Sequence, residues 1–260
     1  MIIDSHCHLN YEPMTNSISD VVKRANENGV KYMLTISVDD KNYKNILDIV
    51  KKNKCVYGTY GIHPHEAKNY SNIKSNDIVS KIKMNKKIIG IGETGLDFYY
   101  NYSEKKDQIS LFIEHIKAAI ETKLPLIVHT RSAEDETYEI LKKFSDNKNL
   151  KILIHCFTGS KKFADKLINI GSYISASGVV TFKKSNDLVA TFKDIPIDKM
   201  LVETDSPYLS PEPLRGKSNE PSHIIHTVKF LSTLRNITYE NFSKITSNNF
   251  FRLFGNLNAK

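Results

Sequence analysis

The chain has 260 residues, of which 40% are hydrophobic and 25% charged, an ordinary composition for a globular protein of about the length of one TIM barrel. Its formal net charge of +8 suits a phosphate-bearing substrate, although the lysines are spread along the chain and a merely lysine-rich composition would give the same charge. Three unpaired cysteines, no long apolar run and no signal-peptide pattern exclude a disulfide framework and a membrane protein, so we expect a cytoplasmic protein.

Short aliphatic runs alternate with longer amphipathic stretches along the whole chain. The runs predict strands at Ile2–Asp4, Lys31–Ser37, Val56–Ile62, Ile88–Glu93, Pro125–His129, Lys151–Cys156, Tyr173–Ser177 and Met200–Asp205. Apolar residues at helical spacing predict helices that include Ile18–Asn28, Gln108–Thr122 and Lys161–Ile170. Eight strands separated by helices predict an α/β fold, a (β/α)8 TIM barrel of the metallo-dependent hydrolase type, in one domain over residues 1–260.

Histidine and glutamate follow the first and fourth predicted strands. His6 and His8 are two residues apart, so in a strand both rings point to the same side. Such a pair is weak evidence for a metal when it stands alone. Glu93 closes an apolar strand, where an unpaired buried carboxylate costs several kcal/mol and therefore needs a cation. A glutamate that reaches solvent at the strand end is the alternative interpretation.

The fifth, sixth and eighth predicted strands also end in potential metal ligands. His129 and His155 close two consecutive apolar strands at equivalent positions. Glu203 and Asp205 are two residues apart, so they share the side of the strand that faces the barrel interior. Asp205 is nearer the rim and is predicted to be a ligand and proton acceptor, whereas the deeper Glu203 is predicted to support the site through a hydrogen bond.

These side chains predict a centre for two divalent metal ions, because the C-terminal ends of all strands of a TIM barrel meet at one rim. The predicted ligands are His6, His8, Glu93, His129, His155 and Asp205, with Glu93 and Asp205 also predicted to be catalytic. Imidazole ligands favour Zn, Mn, Fe or Ni, whereas carboxylates and a phosphate substrate suit Mg or Mn, so the ligand types leave the identity of the ions open.

Other polar residues near this rim have two interpretations each. His63 and His65, after the third predicted strand, either contact substrate and support the site or cap a turn. Arg215 and Lys217 lie in the proline-containing segment 206–221, which is either a substrate-binding loop or an ordinary solvated connection. Three tyrosines of the fourth loop either stack a nucleobase or pack the loop, namely Tyr99, Tyr100 and Tyr102.

Three further residues are predicted to lie outside the metal centre. Cys7 and Cys156 each adjoin a predicted ligand, and strand alternation turns them towards the helices as small buried side chains. His115 lies in the apolar stripe of a helix, far from the rim, and is predicted to be a packing or surface residue.

Several blocks between residues 4 and 221 resemble, in order, the TatD family of metal-dependent deoxyribonucleases. The blocks are Asp4–Leu9, Gly61–His65, Gly92–Tyr99, His155–Gly159, Glu203–Leu209, Arg215–Lys217 and Asn219–Pro221. One departure is Leu214, where relatives often carry a histidine. The resemblance implies an amidohydrolase-type barrel that hydrolyses DNA phosphodiesters, often as a 3′ to 5′ exonuclease. It also implies one ion held by His6, His8, Glu93 and Asp205, and a second held by Glu93, His129 and His155.

The expected mechanism is hydrolysis by a water that two ions activate, with Asp205 taking the proton of the water. The expected partner is a DNA substrate, with single-stranded DNA as one candidate form, and no feature indicates an obligate protein partner. One alternative is hydrolysis of a small amide, ester or lactone on the same scaffold. Many such relatives use a carboxylated lysine as the ligand that bridges the ions, but no predicted strand here ends in lysine, and Glu93 is at the bridging position. The other alternative is non-catalytic nucleic-acid binding, which would not need six ligands.

Overall fold

The fold is an almost closed barrel of parallel strands, seen in a computed structural model that describes residues 1–255 and 257. Within those residues, eight strands are hydrogen-bonded in chain order from β1 to β8. They are β1 (Ile2–Cys7), β2 (Val30–Thr35), β3 (Val56–Tyr60), β4 (Ile88–Asp97), β5 (Leu126–Arg131), β6 (Ile152–Ile154), β7 (Tyr173–Ala176) and β8 (Met200–Val202). A parallel bridge between Cys7 and Ser206 joins the two ends of the sheet. The predicted (β/α)8 fold is confirmed.

Helices follow the strands and cover the outside of the barrel. In the described part of the chain they are α1 (Ile18–Glu27), α2 (Asp40–Lys52), α3 (Ser75–Lys83), α4 (Lys105–Thr122), α5 (Glu134–Phe144), α6 (Lys161–Asn169), α7 (Asn186–Asp194), α8 (Ile224–Leu234) and α9 (Tyr239–Phe254). α6 illustrates the local cause, since the Ser160 hydroxyl accepts a hydrogen bond from the Phe163 N–H at its first turn. Among these helices, none has the length and apolar content that crossing a bilayer requires.

All eight strand ends differ from the sequence prediction by one to four residues, and those of β4, β6 and β8 affect the site. β6 ends at Ile154 and β8 at Val202, so the functional side chains that follow lie in loops rather than in strands. The physical reason is the backbone at Cys156 and Asp205, whose φ angles of 42° and 53° leave the extended region and turn the chain. β4 differs in the other direction, because it continues four residues past Glu93 to Asp97.

The barrel interior is apolar towards the N-terminal ends of its strands. Leu34, Ile89 and Leu153 belong to a buried cluster that is separate from the larger core between barrel and helices. Phe250 and Phe254 of α9 pack against this cluster and close that end of the barrel. The opposite, C-terminal end is therefore the end that remains open for a site.

Candidate metal centre

Glu93 lies at the middle of a group of histidines contributed by several strand ends. Its Oε1 atom is 2.7 Å from Nε2 of His155 and 3.0 Å from Nδ1 of His129. Its Oε2 atom is 3.5 Å from Nε2 of His6. The side chain of Glu93 is only 5% exposed, so its two oxygens face the histidines rather than solvent. One carboxylate thus contacts two separate sets of nitrogen donors.

The first donor set consists of His6, His8 and Asp205. The two Nε2 atoms are 3.4 Å apart, and Oδ1 of Asp205 is 3.6 Å and 3.4 Å from them. Two ligand atoms held at about 2.1 Å from one ion are about 3.0 to 3.4 Å apart. The spacing of these three side chains therefore fits coordination of a single cation, which would also relieve the approach of two nitrogen lone pairs.

The second donor set consists of Glu93, His129 and His155. Nε2 of His155 is 3.4 Å from Nδ1 of His129, and both nitrogens contact the same carboxylate oxygen of Glu93. The rings of His6 and His155 stack with centroids 3.9 Å apart, which places the two sets side by side. The structure thus brings together all six residues that the sequence predicts as ligands, in an arrangement that fits metal binding.

The electrostatics of the site depend on burial and on these contacts. Burial opposes ionisation of Glu93, but His155 and the hydrogen bond from His129 outweigh it and hold the pKa of Glu93 well below its usual range. Burial also opposes the protonation of His155, yet Glu93 and Glu203 hold its pKa well above the usual range. His6 behaves oppositely, since burial and the nearby His155 lower its pKa. Binding of a cation by His155 would require the coordinating nitrogen to lose its proton.

Glu203 lies below the donor sets, as its position in the sequence predicts. It is fully buried, accepts a short hydrogen bond from the Ser175 hydroxyl, and has Oε1 at 3.4 Å from Nδ1 of His155. The other nitrogen of that ring faces Glu93. A carboxylate behind a histidine in this way fixes the orientation of the ring and which nitrogen carries the proton.

Asp97 is a site residue that the sequence analysis missed. Its Oδ2 atom accepts hydrogen bonds from Nε2 of His65 at 2.9 Å and from Nε2 of His129 at 3.2 Å. Its Oδ1 atom accepts from the backbone N–H groups of Tyr99 and Tyr100. Burial opposes its ionisation, but these hydrogen bonds lower the pKa of Asp97. Asp97 lies four residues after Glu93 and so on the same side of the strand. A predicted fourth strand that was four residues longer would therefore have identified Asp97.

Asp4 is a second buried acid without a sequence prediction. The backbone N–H and the hydroxyl of Thr204 donate hydrogen bonds to its carboxyl oxygens at 3.0 Å and 2.6 Å. Burial raises the pKa of Asp4 to about 8 against these hydrogen bonds. The contact joins β1 to the segment after β8, and it therefore holds His6 and Asp205 next to each other.

The histidines of the third loop lie beside the donor sets. Nε2 of His63 is 3.6 Å from Oε1 of Glu93, and its Nδ1 accepts a hydrogen bond from the backbone N–H of His65. His115 lies close to them, so the prediction that it is far from the rim is wrong. Its Nε2 accepts from the N–H of Ile62, because α4 packs against the Pro64–Tyr70 segment that follows β3. The ring is fully buried, and burial lowers the pKa of His115 to about 4.

A cavity of about 780 Å³ opens above the donor sets. Cys156 lines it, although strand alternation predicts that this side chain faces the helices. The prediction is wrong because the positive φ of Cys156 ends the alternation directly after His155. Its Sγ lies 3.2 Å from Oγ of Ser177. Cys7 is fully buried as predicted, with Sγ donating to the carbonyl of Leu34.

The segment 206–221 reaches the cavity with its first part only. Tyr208 and Leu209 line the cavity, whereas Arg215 and Lys217 do not. The Arg215 guanidinium lies 3.7 Å over the ring of Phe182, and the side chain of Lys217 is exposed. Substrate binding by Arg215 and Lys217 therefore stays a prediction, for a part of the substrate that lies outside the cavity. Arg131, at the end of β5, is the arginine among the cavity-lining residues of the described chain.

A parallel barrel with histidine and carboxylate clusters at the C-terminal ends of its strands is the architecture of a metal-dependent hydrolase. Residues 3–255 match the family model described as TatD related DNase. The chain belongs to the TatD family, and the family resemblance of the sequence is confirmed.

Similar proteins agree over almost the whole chain. The uncharacterized metal-dependent hydrolase BU355 of Buchnera aphidicola subsp. Acyrthosiphon pisum is 42% identical over 97% of this chain and 98% of that protein. The uncharacterized metal-dependent hydrolase YcfH of Escherichia coli K12 is 35% identical over 97% of this chain and 95% of that protein. Among solved structures, YJJV, a TatD homologue from Escherichia coli, has a TM-score of 0.92 at 24% identity, covering 98% of both chains.

Proposed function

We propose that this protein is a metal-dependent deoxyribonuclease that hydrolyses DNA phosphodiester bonds, removing nucleotides from the 3′ end. The observation that carries the proposal is the sharing of Glu93 between two donor sets, because paired divalent ions suit in-line displacement at a phosphate. The match to the TatD related DNase model supports the same substrate. The net charge of +8 is consistent with a polyanion.

Each proposed ligand has a defined place in this function. His6, His8 and Asp205 would hold one ion and His129 and His155 the other, with Glu93 common to both. When bound, the ions supply Lewis-acid stabilisation of the phosphate and lower the pKa of water. Mg, Mn, Zn, Fe and Ni are all compatible with this mixed set of imidazole and carboxylate ligands.

Asp205 is the proposed acceptor for the proton of the attacking water. Its side chain is 14% exposed and lines the cavity, so one of its oxygens can meet a water beside the substrate. Burial opposes its ionisation, but the hydrogen bond with His8 and the charge of His6 lower the pKa of Asp205. It is therefore a carboxylate at neutral pH and can accept a proton.

The polar residues around the ligands keep them oriented. Glu203 behind His155 and Asp97 behind His129 each hold one nitrogen of the ring, which directs the other nitrogen to Glu93. His63 lies beside the same Glu93 oxygen and lines the cavity, a position from which it can contact the substrate phosphate.

The test uses protein stripped of metal with a chelator and labelled substrates. Single-stranded DNA, double-stranded DNA, RNA and a simple carboxylic ester or lactone are incubated after Mg, Mn, Zn, Fe or Ni is restored separately. We expect metal-dependent release of nucleotides from the 3′ end of DNA and a content of two ions per chain. Hydrolysis of the ester or lactone without hydrolysis of DNA would instead favour the small-molecule alternative.

Two variants and one control complete the test. His129→Ala and Asp205→Ala should lower metal-dependent DNA cleavage by at least about 100-fold with the circular dichroism spectrum retained. Tyr138→Ala, at a half-buried residue of α5 beside Lys142 and Lys166 that does not line the cavity, should cleave DNA like the unaltered protein. Normal cleavage by either site variant would refute the assignment.

A further inference from the structure

The mouth of the cavity concentrates exposed aromatic side chains. In the described residues, the large hydrophobic side chains that are exposed are Met1, Met84 and four tyrosines, namely Tyr99, Tyr100, Tyr102 and Tyr208. Tyr100, Tyr102 and Tyr208 line the cavity above the metal ligands. Each Å² of apolar surface left exposed lacks the roughly 25 cal/mol of stabilisation that burial would provide. The concentration of exposed tyrosine rings at one opening indicates a surface that binds a planar ligand group.

Tyr100 and Tyr102 form one wall of this opening, which we call the tyrosine wall. Their rings stack with centroids 5.4 Å apart and an interplanar angle of 26°. His65 lies edge-on to the ring of Tyr102 at 4.7 Å, and it also hydrogen-bonds to Asp97. Since Asp97 also accepts a hydrogen bond from His129, two side chains separate the tyrosine wall from the metal centre.

Arg131 stands beside the tyrosine wall with its charge unneutralised. Its guanidinium lies 4.0 Å from the ring centroid of Tyr99 and 4.9 Å from that of Tyr100, and it lines the cavity. Among the described residues, no carboxylate forms an ion pair with it. A planar guanidinium that is held by aromatic rings and faces a cavity is suited to bidentate contact with a phosphate.

The loop that carries the tyrosines is held in place before any ligand binds. The Gln108 side-chain amide bonds to both backbone groups of Asp97 and donates to the Ser103 carbonyl. The Ser103 hydroxyl donates to the carbonyl of His65. Ordering the loop on binding therefore requires little further loss of conformational entropy, which favours a surface built for recognition.

We propose that Arg131 and the tyrosine wall form a subsite for one unpaired nucleotide next to the bond that is cleaved. Arg131 contacts a phosphate, and the exposed ring of Tyr102 stacks the base, with Tyr100 supporting it from behind. The inference rests on the proposed nuclease function and adds the residues that select a base-bearing, unpaired strand. Every base offers a π-face, so the subsite does not discriminate among sequences.

The test compares two oligonucleotides that differ only in the bases near the 3′ end. One is ordinary single-stranded DNA, and the other carries abasic tetrahydrofuran residues at its last three positions, with the same phosphates. We expect Tyr102→Ala to lower kcat/KM on the ordinary strand about tenfold, while kcat/KM on the abasic strand stays unchanged. Tyr102→Phe should retain the preference, and Tyr138→Ala serves as the control.

Arg131 has a different expected signature, because the phosphate is present in both oligonucleotides. Arg131→Gln should lower kcat/KM on both strands by a similar factor of about tenfold and reduce the salt dependence of binding by about 0.7 in the slope of log K against log salt. Equal losses on both strands for Tyr102→Ala would show a structural role only and would overturn the stacking subsite.

A binding measurement separates this inference from the proposed function. Fluorescence anisotropy of the same two oligonucleotides with Asp205→Asn protein reports affinity where no cleavage takes place. Tighter binding of the ordinary strand, lost in the Tyr102→Ala, Asp205→Asn double variant, supports the subsite. Equal affinity for both strands overturns it. Absence of DNA cleavage by the unaltered protein, with the ordinary strand still bound more tightly, would overturn the nuclease function and leave base stacking on the tyrosine wall supported.

Discussion

Replacing Asp97 by asparagine should weaken the binding of the second proposed metal ion while the fold stays intact. In the structure, Nε2 of His129 donates to Oδ2 of Asp97 and Nδ1 of the same ring points at Glu93, so Nδ1 is the nitrogen that would give up its proton to bind a cation. An asparagine amide cannot accept at that position without turning its NH2 group towards the backbone N–H groups of Tyr99 and Tyr100, which are donors themselves. The amide nitrogen of the asparagine therefore donates to Nε2 of His129, so the proton of the His129 ring lies on Nδ1.

A proton on Nδ1 prevents that nitrogen from binding a cation. Loss of a carboxylate behind a ligating histidine typically lowers metal affinity by about 10 to 100-fold, which is about 1.4 to 2.7 kcal/mol. Isothermal titration of chelator-stripped protein with Zn or Mn would then show one site with unchanged affinity and one weakened by this factor. Glu104→Gln, an exposed residue in the same loop, loses the same charge and should bind both ions normally. Two sites of unaltered affinity in Asp97→Asn would refute this tautomer reasoning.

Three further predictions concern stability. Gly95→Ala should lower the free energy of unfolding in urea by at least about 3 kcal/mol. The φ of Gly95 is +138°, and a Cβ there would lie 2.0 Å from the carbonyl oxygen of His129. An unchanged urea midpoint would contradict this. Burial lowers the pKa of His115 from 6.5 to about 4, so the neutral ring contributes about 3 kcal/mol to the free energy of unfolding above pH 6.5, and this contribution is lost as the pH falls towards 4. In His115→Gln, the urea midpoint should therefore depend less steeply on pH between pH 4 and 7. Addition of a divalent ion at about 100 times its Kd should stabilise stripped protein by about 2.7 kcal/mol per site, a shift that differential scanning calorimetry would detect and that Glu93→Gln should largely lose.

Much of the barrel could be predicted because its strands are short apolar runs that end in polar residues. His129 and His155 stand out in the sequence since nothing in an apolar strand explains a histidine at its end. The rhythm of strands and helices then implies that such residues meet at one rim. No homologue is needed for this step, since the convergence follows from the parallel topology alone.

Several details that escaped prediction depend on the backbone beyond a strand end. Alternation assigns a face only while the chain stays extended, and the positive φ angles of Cys156 and Asp205 end it. Asp97 escaped because the predicted strand ends at Glu93, whereas β4 continues to Asp97. Arg131 lines the cavity and Arg215 does not, which depends on the loop that folds over the mouth, and residue types do not encode that fold.

The closure of the barrel floor by α9 has a consequence for how the protein is made. Phe250 and Phe254 complete the packing around Ile89 and Ile127, which come from strands synthesised more than a hundred residues earlier. A nascent chain that has already produced every proposed metal ligand still exposes this floor to water. Stable metal uptake should therefore await release of the C-terminal helix from the ribosome, and a truncation before residue 239 would leave an open, aggregation-prone barrel.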